Sequence, residues 1–433
     1  MNSEWPVVPL RAVSKEAQTG PFGSQLHQHE YVEGGTPVIN PSHIKNGKLV
    51  PDWRVTVDEE KAVSLSRHRL VAGDLIFARR GELGRSAVVS DEAAGWLCGT
   101  GSIRVRLKSG SIDAGFAGYA LQSAEVRRYF EMQSVGSTMD NLNTGIILRM
   151  PIPLPAMEEQ RRIADFLDGQ IARIDSLISV RLRQCRSIEE RISAEVSEVL
   201  VPGILGTPGR SNAWPWLPDL PSGLPIVRLG YLSRLQSGIT VHEGRELDGD
   251  IVTRPYLRVA NVQAGQVDLS EVNEIRLPRA MARRSTLRPG DVLMTEGGDL
   301  DKLGRGTVWR GEIPGCLHQN HVFAIRPDRD KLDGEYLSLV TQSMHGRWYF
   351  ESTGSKTTNL ASTNSSKIMG FPIPLRELDE QRRIVRSLNA SRETMNRVLR
   401  TIDRQLMQLA ERRQALITAA VTGQIDVTTA RGA

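Results

Sequence analysis

The sequence is poor in cysteine and in long apolar runs. Its 433 residues include three cysteines, Cys98, Cys185 and Cys316. They form no CxxC pair, so neither a disulfide framework nor a structural zinc site is expected. No run of about 18 apolar residues is present, and the first residues lack a basic segment followed by an apolar one. The sequence therefore predicts a cytoplasmic protein that does not enter a membrane.

Loops that serve catalysis are also missing. Asn40-Pro41-Ser42-His43 lacks the second proline and the aromatic residue of the loop with which adenine methyltransferases hold a flipped base. The stretch from Gly354 to Thr357 resembles a phosphate-binding loop, but the earlier glycine is absent. His318 and His321 lie three residues apart without further ligand types nearby. We therefore predict no catalytic residues, no metal site and no cofactor for this chain.

Lysine is scarce as well, since it provides nine of the 55 basic residues. The rest are arginine, which can contact phosphate or guanine through two parallel hydrogen bonds. The net charge of +5 permits nucleic-acid binding without requiring it. Hydrophobic residues make up 39% of the chain, which is enough for more than one hydrophobic core.

The sequence contains one long stretch twice. Residues 151–163 read PIPLPAMEEQRRI and residues 372–384 read PIPLRELDEQRRI, with nine of thirteen positions identical at an offset of 221. The repeat extends outward, because LVAGDLIFARRG at 70–81 matches LRPGDVLMTEGG at 287–298. A solenoid would repeat every 20–50 residues. This longer period indicates a duplicated domain pair.

Each half has the same order of structure. A region of about 145 residues carries short apolar runs separated by Gly, Pro and Asn, which is typical of strands and turns with some helix. P-I-P-L follows, and then a helical pattern over 157–200 and again over 377–422. In these helices apolar residues recur in steps of three or four, through Leu182 and Val199 in the first one.

Helices of this length with one narrow apolar stripe need a partner helix. Over 158–200 there are seven Arg and nine acidic residues, whereas over 376–413 there are ten Arg and six acidic residues. The opposite net charges favour pairing of the two helices with each other, although exposed ion pairs are individually weak. An antiparallel pair with a globular domain at each end satisfies the chain order.

The predicted fold class is α+β, with two similar globular recognition domains separated by two long antiparallel helices and related by a pseudo-twofold repeat. The predicted boundaries are 1–150 for the first domain, 151–202 for the first helical region, 203–224 for a Pro- and Gly-rich linker, 225–371 for the second domain, and 372–433 for the second helical region with its tail.

Several motifs together resemble one known family. They are G-S-x-x-x-N-L, then P-I-P-L-P, then E-E-Q-R-R-I-A-D-F-L-D, and the stretch LAERRQALITAAVTGQIDV at 409–427. This order is similar to that of the specificity subunits of type I restriction–modification systems, and the similarity covers essentially the whole chain. It implies two target-recognition domains, each of which reads one half of an asymmetric, split site in double-stranded DNA.

The resemblance also implies partners. The helical regions would set the gap between the half-sites and dock two adenine-methyltransferase subunits, and restriction subunits would join that core. S-adenosylmethionine, ATP and Mg would belong to the partner subunits, and this chain would perform no chemistry. Two alternatives stay open: the DNA-reading part of a self-contained methyltransferase, and a coiled-coil interaction scaffold.

Polar and basic residues in loops between strands are the candidates for DNA contact, because Ser, Thr, Asn, Gln and Arg suit phosphates and base edges. The alternative for each is a turn residue that bonds its own backbone. The candidates are Ser24, Gln25, Arg79, Arg80, Ser137, Thr138 and Asn141 in the first domain, and Gln236, Ser237, Thr240, Gln319, Asn320, Lys356, Thr357 and Asn359 in the second.

One polar tetrapeptide recurs unchanged at the start of both long helices. We interpret it as a partner-docking surface or as packing between domains, because exposed residues are normally free to drift. The alternative is a solvated first turn, where Glu is favourable. The residues are Glu159, Gln160, Arg161 and Arg162 in the first copy, and Glu380, Gln381, Arg382 and Arg383 in the second.

Overall fold

The structure is a computed structural model that describes residues 5–80, 84–134, 142–206, 214–221, 224–241, 248–263, 265–298, 303–356 and 361–427. The chain forms two compact units. Unit 1 comprises residues 1–182 and 403–433, and unit 2 comprises residues 183–402. Among the described residues, no helix is both long and apolar enough to cross a bilayer.

The first half of the chain contributes eleven strands and five helices to the described structure. The strands are β1 (Val7–Pro9), β2 (Ser14–Thr19), β3 (Thr36–Ile39), β4 (Ile44–Lys45), β5 (Lys48–Leu49), β6 (Thr56–Val57), β7 (Leu75–Ala78), β8 (Ser86–Val88), β9 (Leu97–Cys98), β10 (Ser102–Leu107) and β11 (Pro151–Pro153). The helices are α1 (Glu59–Ser64), α2 (Ala114–Ala120), α3 (Ala124–Ser134), α4 (Thr144–Arg149) and α5 (Met157–Leu200).

The second half repeats this order. Its strands are β12 (Ile226–Arg228), β13 (Ser233–Gln236), β14 (Ile251–Leu257), β15 (Val262–Gln263), β16 (Gln266–Val267), β17 (Asn273–Pro278), β18 (Val292–Thr295), β19 (Gly297–Gly298), β20 (Gly306–Val308), β21 (Leu317–His318), β22 (Val322–Pro327), β23 (Ser355–Lys356), β24 (Ala361–Ser362) and β25 (Pro372–Pro374). Its helices are α6 (Arg279–Ser285), α7 (Gly334–Gln342), α8 (Met344–Thr353), α9 (Ser365–Met369) and α10 (Leu378–Val421).

The two units share one sheet topology. A four-stranded sheet has the order β2-β10-β7-β8 in unit 1 and β13-β22-β18-β20 in unit 2. A three-stranded sheet has the order β6-β3-β9 in unit 1 and β17-β14-β21 in unit 2, and its last pair is parallel in both. The predicted α+β class and the internal repeat are confirmed.

A two-stranded ribbon closes the globular domain of each unit where the P-I-P-L motif lies. β1 pairs antiparallel with β11, and β12 pairs antiparallel with β25. The Leu10 amide donates to the Met150 carbonyl at 2.8 Å, and the equivalent bond joins Leu229 to Phe371 at 2.8 Å. The proline-rich motif therefore forms a short strand that brings the first and last residues of the domain together.

The repeated Gly-Asp pair of the apolar runs is structural. Asp74 and Asp291 are each about 1% exposed. Asp74 receives two hydrogen bonds from Arg106, at 2.9 and 2.8 Å, and Asp291 receives two from Arg326, both at 2.7 Å. Such a buried pair needs both partners, because loss of one would leave an uncompensated charge.

Both long helices form as the apolar periodicity predicts, over Met157–Leu200 and Leu378–Val421. In unit 1 the Arg413 Nε of α10 lies 3.3 Å from the Asp175 Oδ1 of α5. Val427, which follows α10 in the chain, lies nearer the start of α5, beside Phe166 and Gln170. In unit 2 the Ser391 hydroxyl donates to Glu195 at 2.9 Å. The α5 and α10 segments thus pair within each unit, and their direction in unit 1 is antiparallel.

The apolar stripe of α5 is buried from Ile163 to Ile174 and again at Val196 and Leu200, and not along its whole length. Ile163 and Leu167 are fully buried in unit 1, and Val196 and Leu200 are buried in unit 2. Leu182 is 45% exposed and Val199 is 36% exposed, so these two stripe positions are not core residues. A single partner helix covers only a narrow seam, which leaves flanking positions open to solvent.

The predicted linker is partly packed. Leu217 is fully buried in the core of unit 2, and Trp214 and Trp216 pack against the same core. The Trp216 indole donates to the His345 Nδ1 at 3.2 Å. Within the predicted linker, the aromatic side chains of Trp214 and Trp216 therefore pack against α8, and the bounds 203–224 stay a prediction.

Candidate nucleic-acid interface

Two of the predicted segments in unit 2 lie side by side. The Ile239 amide donates to the His318 carbonyl at 2.8 Å, and the Asn320 amide donates to the Ile239 carbonyl at 2.8 Å. Gly238 permits this approach, since a Cβ there would lie 2.3 Å from the Gln319 carbonyl oxygen. The segment from Gln236 to Thr240 and the segment from His318 to Asn320 therefore form one surface.

The polar candidates on this surface are accessible. Ser237 and Thr240 are exposed, and Gln236, Gln319 and Asn320 are partly exposed. The Gln319 backbone is fixed by a hydrogen bond from its amide to the Leu257 carbonyl at 2.8 Å. The sheet therefore holds the backbone in place, and the side chains of Gln319 and Asn320 remain partly exposed.

His318 and His321 do not converge on a metal position. The His318 ring is fully buried, and its Nδ1 lies 2.5 Å from the Val322 carbonyl oxygen. The His321 side chain is 55% exposed and its Nδ1 lies 2.6 Å from Glu296. Within the described residues, no group of three or more His, Cys, Asp or Glu is arranged to hold a metal ion.

Unit 1 builds the same surface from residues that the sequence analysis did not select. Gly20 matches Gly238, because a Cβ at Gly20 would lie 1.8 Å from the Gly99 carbonyl oxygen. Gln18 lies two residues before Gly20, as Gln236 lies two residues before Gly238. The shared Gln-x-Gly spacing was the available sequence signal for Gln18.

Arg104 anchors this surface from below. It is 2% exposed and lies on β10 opposite Gln18. Its Nη2 donates to Glu16 and to the Gln18 Oε1, both at 2.9 Å, and its Nη1 donates to the Arg69 carbonyl at 2.9 Å. A buried guanidinium needs such partners, and they fix the position of the residues that it contacts.

The predicted Arg79 lies beside the loop that contains Phe22. The Arg79 Cζ is 5.1 Å from the centre of the Phe22 ring, which is a cation–π distance. The Arg79 Nε is buried and has no hydrogen-bond partner within the described part of the chain. Arg80 is exposed. The two predicted loops of unit 1 therefore meet at this point.

The side chain of Gln25 bonds to the backbone of its own turn and not outward. Its Oε1 accepts a hydrogen bond from the Phe22 amide at 3.0 Å, as a turn residue that bonds its own backbone does. Other candidates are not tested, because they lie outside the described residues or, for Ser24 and Lys356, because their side chains do. Those fully outside are Ser137, Thr138, Asn141, Thr357 and Asn359.

A basic cavity lies next to this region in unit 1. It has a volume of about 500 Å³, and Lys45, Arg85, Arg127 and Arg413 line it. None of the described residues that line it is a carboxylate, and of its cations Arg413 is paired with Asp175 at 3.3 Å. Clustered cations of this kind attract phosphate groups, whatever the base sequence.

The repeated tetrapeptide at the helix starts separates into two kinds of residue. Gln160 is 1% exposed and Gln381 is fully buried. The Gln160 Oε1 accepts from the Asp113 amide at 2.8 Å, and the Gln381 Oε1 accepts from the Asp333 amide at 2.9 Å. Asp113 and Asp333 cap α2 and α7, so each glutamine ties a long helix to its recognition domain.

The charged residues that flank the two glutamines stay candidates for a docking surface. The two glutamines fit the packing interpretation, since their side chains are enclosed within their units, and partner docking on the tetrapeptides stays a prediction. Glu159 accepts from Arg162 at 2.5 Å, and Glu380 accepts from Arg376 at 2.6 Å. The exposed members of the tetrapeptides are Arg161, Arg162, Arg382 and Arg383.

Comparisons with known proteins point in one direction. A profile of the type I restriction modification DNA specificity domain matches residues 2–182. The specificity subunit of the type I restriction enzyme StySPI from Salmonella potsdam is 23% identical over 97% of this chain and 89% of its own length. The corresponding EcoKI subunit from Escherichia coli strain K12 is 22% identical over the same shares.

Two solved structures share the fold. A chain from a study of complex assembly and conformational transition in a type I R-M system has a TM-score of 0.69 at 21% identity, and covers 97% of this chain and 98% of its own. The HsdS subunit from Thermoanaerobacter tengcongensis has a TM-score of 0.51 at 21% identity, with 98% of both chains covered. At this level of identity the likeness shows the fold alone.

Proposed function

Because the chain belongs to the family of type I restriction–modification specificity subunits, we propose that it recognises an asymmetric, bipartite DNA site, with one half-site read by each unit. The proposal rests on a contrast between the backbone framework, which is the same in both units, and the exposed surface residues, which differ. Sheet order, ribbon and helix joint are the same in both units, whereas the surface around Gln18 and that around Gln236 differ in sequence.

That contrast fits DNA reading on physical grounds. Phosphate contacts position a protein on the duplex, and base contacts carry the sequence information. A frame that is kept in two copies with altered surface residues suits two domains that bind the same backbone and different bases. A coiled-coil scaffold without a DNA ligand gives no reason for two polar, partly exposed surfaces of this kind.

The proposal includes partners that supply the chemistry. Two methyltransferase subunits would dock on the helical regions, where the exposed arginines of the tetrapeptides are the candidate contacts, and restriction subunits would join them. S-adenosylmethionine, ATP and Mg would be bound by those subunits. The chain itself would act in the cytoplasm as a non-catalytic component.

The test is to express the chain with its methyltransferase subunit and to sequence the methylated adenines of the host DNA. We expect one asymmetric motif with two specified parts and an unspecified gap. A single continuous motif would contradict the bipartite reading.

The purified chain with S-adenosylmethionine and DNA is the control for the enzymatic alternative. We expect no methyl transfer without the methyltransferase subunit. Transfer by the pure chain would show that the chain is itself a methyltransferase. A gel shift of the complex at increasing salt addresses the scaffold alternative, since DNA binding through phosphates weakens steeply with salt.

A further inference from the structure

Two glutamines occupy equivalent positions in the two units. Gln18 on β2 lies opposite Arg104 on β10, and Gln236 on β13 lies opposite Ala324 on β22. Arg104 and Ala324 are each the third residue of their strand. The equivalence therefore follows from sheet register as well as from the Gln-x-Gly spacing.

In unit 1 a buried arginine sets the orientation of the glutamine amide. The Arg104 Nη2 lies 2.9 Å from the Gln18 Oε1. A guanidinium group has only donors, so the amide oxygen must face Arg104. The NH₂ group of Gln18 consequently points away from the sheet and can donate outward.

In unit 2 a buried histidine sets the opposite orientation. The His318 Nδ1 faces the Val322 carbonyl at 2.5 Å, and a carbonyl can only accept, so Nδ1 carries the hydrogen. Burial lowers the pKa of His318, which favours the neutral ring, and its Nε2 is then an acceptor. The Gln236 Nε2 lies 3.2 Å from that atom, so its NH₂ donates inward and its Oε1 points away.

Two positions can anchor the glutamine from below, and in each unit one of them holds a large polar residue and the other a small one. Arg104 of unit 1 corresponds to Ala324, and His318 of unit 2 corresponds to Cys98, which is likewise the second residue of its strand. Cys98 pairs in parallel with Ile39, and His318 pairs in parallel with Leu257. A large polar side chain thus lies beneath the glutamine in both units, but it comes from a different strand and has the opposite hydrogen-bonding character.

Both outward groups can reach a ligand. Gln18 and Gln236 are partly exposed. Within the described residues, the Gln18 Nε2 donates to no protein group and the Gln236 Oε1 accepts from none. Gln236 also borders the surface formed with Gln319 and Asn320, so a base edge bound there would meet its free oxygen.

We propose that Gln18 and Gln236 specify bases in their half-sites through opposite hydrogen-bonding groups, with Arg104 and His318 as the positioning residues. Gln18 donates to an acceptor, such as guanine O6, purine N7 or thymine O4. Gln236 accepts from an amino group, such as adenine N6 or cytosine N4. This inference rests on the proposed function and adds the chemical class that each unit selects.

The variants Gln18→Glu and Gln236→Glu test whether each glutamine presents a hydrogen-bond donor or an acceptor to the DNA. Glutamate has acceptors only. Gln236→Glu keeps an outward acceptor, and its inward oxygen can pair with His318 once the Nε2 of that ring takes up a proton, so the second half-site should keep its base preference even if total methylation falls. Gln18→Glu replaces the outward donor by an acceptor, so methylation of the native first half-site should fall roughly ten- to a hundredfold. Both variants add one negative charge, so repulsion from phosphates is common to the two.

The variants Gln18→Met and Gln236→Met show whether each side chain touches its half-site. Each should relax one base position of its own half-site and leave the other half-site unchanged. The readout is the methylation of a site library by the complex with its methyltransferase subunit, with thermal unfolding as the check on folding. If folded Met variants keep the wild-type base preference, or if Gln236→Glu changes the base preference of its half-site as Gln18→Glu does, the proposal is overturned.

Arg104→Met tests the positioning role. With the anchor removed, the Gln18 amide can turn, so one position of the first half-site should accept both donor and acceptor bases while the second half-site keeps its preference. A purely structural role would lower stability without this change in base preference, and that outcome would overturn the assignment of Arg104. A wild-type complex without a bipartite motif would instead refute the proposed function itself.

Discussion

At the scale of single residues, Gln160 is the joint between α5 and the first recognition domain. Gln160→Leu should lower the free energy of unfolding by about 1–3 kcal/mol, because it leaves the buried Asp113 amide and Pro155 carbonyl without partners. Denaturant unfolding measures the loss. The neighbouring variant Arg161→Ala, at an exposed position, should change stability by less than about 0.5 kcal/mol. Equal stability of Gln160→Leu and wild type would contradict the joint.

His345 should make unit 2 sensitive to acid. The ring is fully buried, donates from Nε2 to the Pro372 carbonyl at 2.7 Å and accepts from Trp216, so it is neutral. Burial lowers its pKa from 6.5 to about 4. Below pH 6.5 the unfolded chain binds a proton that the folded chain does not. Stability should therefore fall as the pH drops from 6.5 towards 4, by up to about 3 kcal/mol.

Denaturant unfolding followed by tryptophan fluorescence at pH 7 and pH 5 measures this dependence. In His345→Gln, which keeps an amide donor and acceptor but cannot titrate, the loss at pH 5 should shrink. Trp216→Phe removes a hydrogen bond yet keeps the titrating ring, so the loss should persist there. A pH dependence in His345→Gln equal to that of wild type would refute the role of His345.

Individual contacts were the hardest features to predict from the sequence. The loop candidates around Gln236 and Gln319 lie together as one surface, because loops at the ends of paired strands are neighbours. Gln18, Arg104 and His318 were missed as a set, since their partnership depends on which strands pair and in which register. Local spacing carries no information on such cross-strand contacts.

At the scale of elements, the paired length of α5 and α10 should set the spacing between half-sites. Asp175 faces Arg413 in unit 1, so residues 176–182 and 405–411 are facing stretches. Deleting both stretches removes seven residues, or about 10 Å, from each helix and nearly preserves the apolar face. This is about three base pairs of B-DNA at ~3.4 Å each.

We expect the accepted gap in the methylated motif to change by about this amount while the specified bases stay the same. Deleting 176–182 alone is the control, because it shortens α5 by about 10 Å against an unchanged α10, so the contacts Asp175–Arg413 and Glu195–Ser391 cannot both form and stability should fall. A motif with altered bases and an unchanged gap would show that the helices do not act as the spacer.

The long helices were predictable from the sequence, whereas the packing of the linker segment was not, for one physical reason. An apolar period sustained over 44 residues fixes both the helix and its buried face. The stretch after α5 is rich in proline and glycine, which indicates irregular backbone without saying whether that backbone is packed. Trp214, Trp216 and Leu217 decide the matter through burial against α8, which composition alone does not reveal.

At the scale of the whole molecule, the C-terminal residues complete unit 1. Ile417, Ala420 and Val421 are fully buried in its core, and the Thr418 hydroxyl accepts from the Ala124 amide at 3.1 Å. A chain that ends at Ile402 should lose about 5 kcal/mol or more in unit 1, since each large apolar side chain contributes about 1.5–3 kcal/mol. Unit 2, which lies entirely within 183–402, should keep its stability.

Hydrogen exchange with mass spectrometry distinguishes the units in that shortened chain. Amides of β2, β7 and β10 should lose protection, and amides of β13, β18 and β22 should keep it. The variant Thr418→Val in the full chain is a milder control that removes only the bond to Ala124. Equal loss of protection in both units would contradict this assignment of the C-terminal segment.

The ribbon of β1 and β11 has a consequence for inheritance. The Leu10 amide bonds to the Met150 carbonyl, so everything between these residues enters and leaves the domain at one seam. Two genetic crossovers, one near Leu10 and one near Met150, would exchange the whole segment between them and leave Gln160 and the paired helices unchanged. One such exchange would replace the surface that is proposed to read DNA and leave the rest of the chain unchanged.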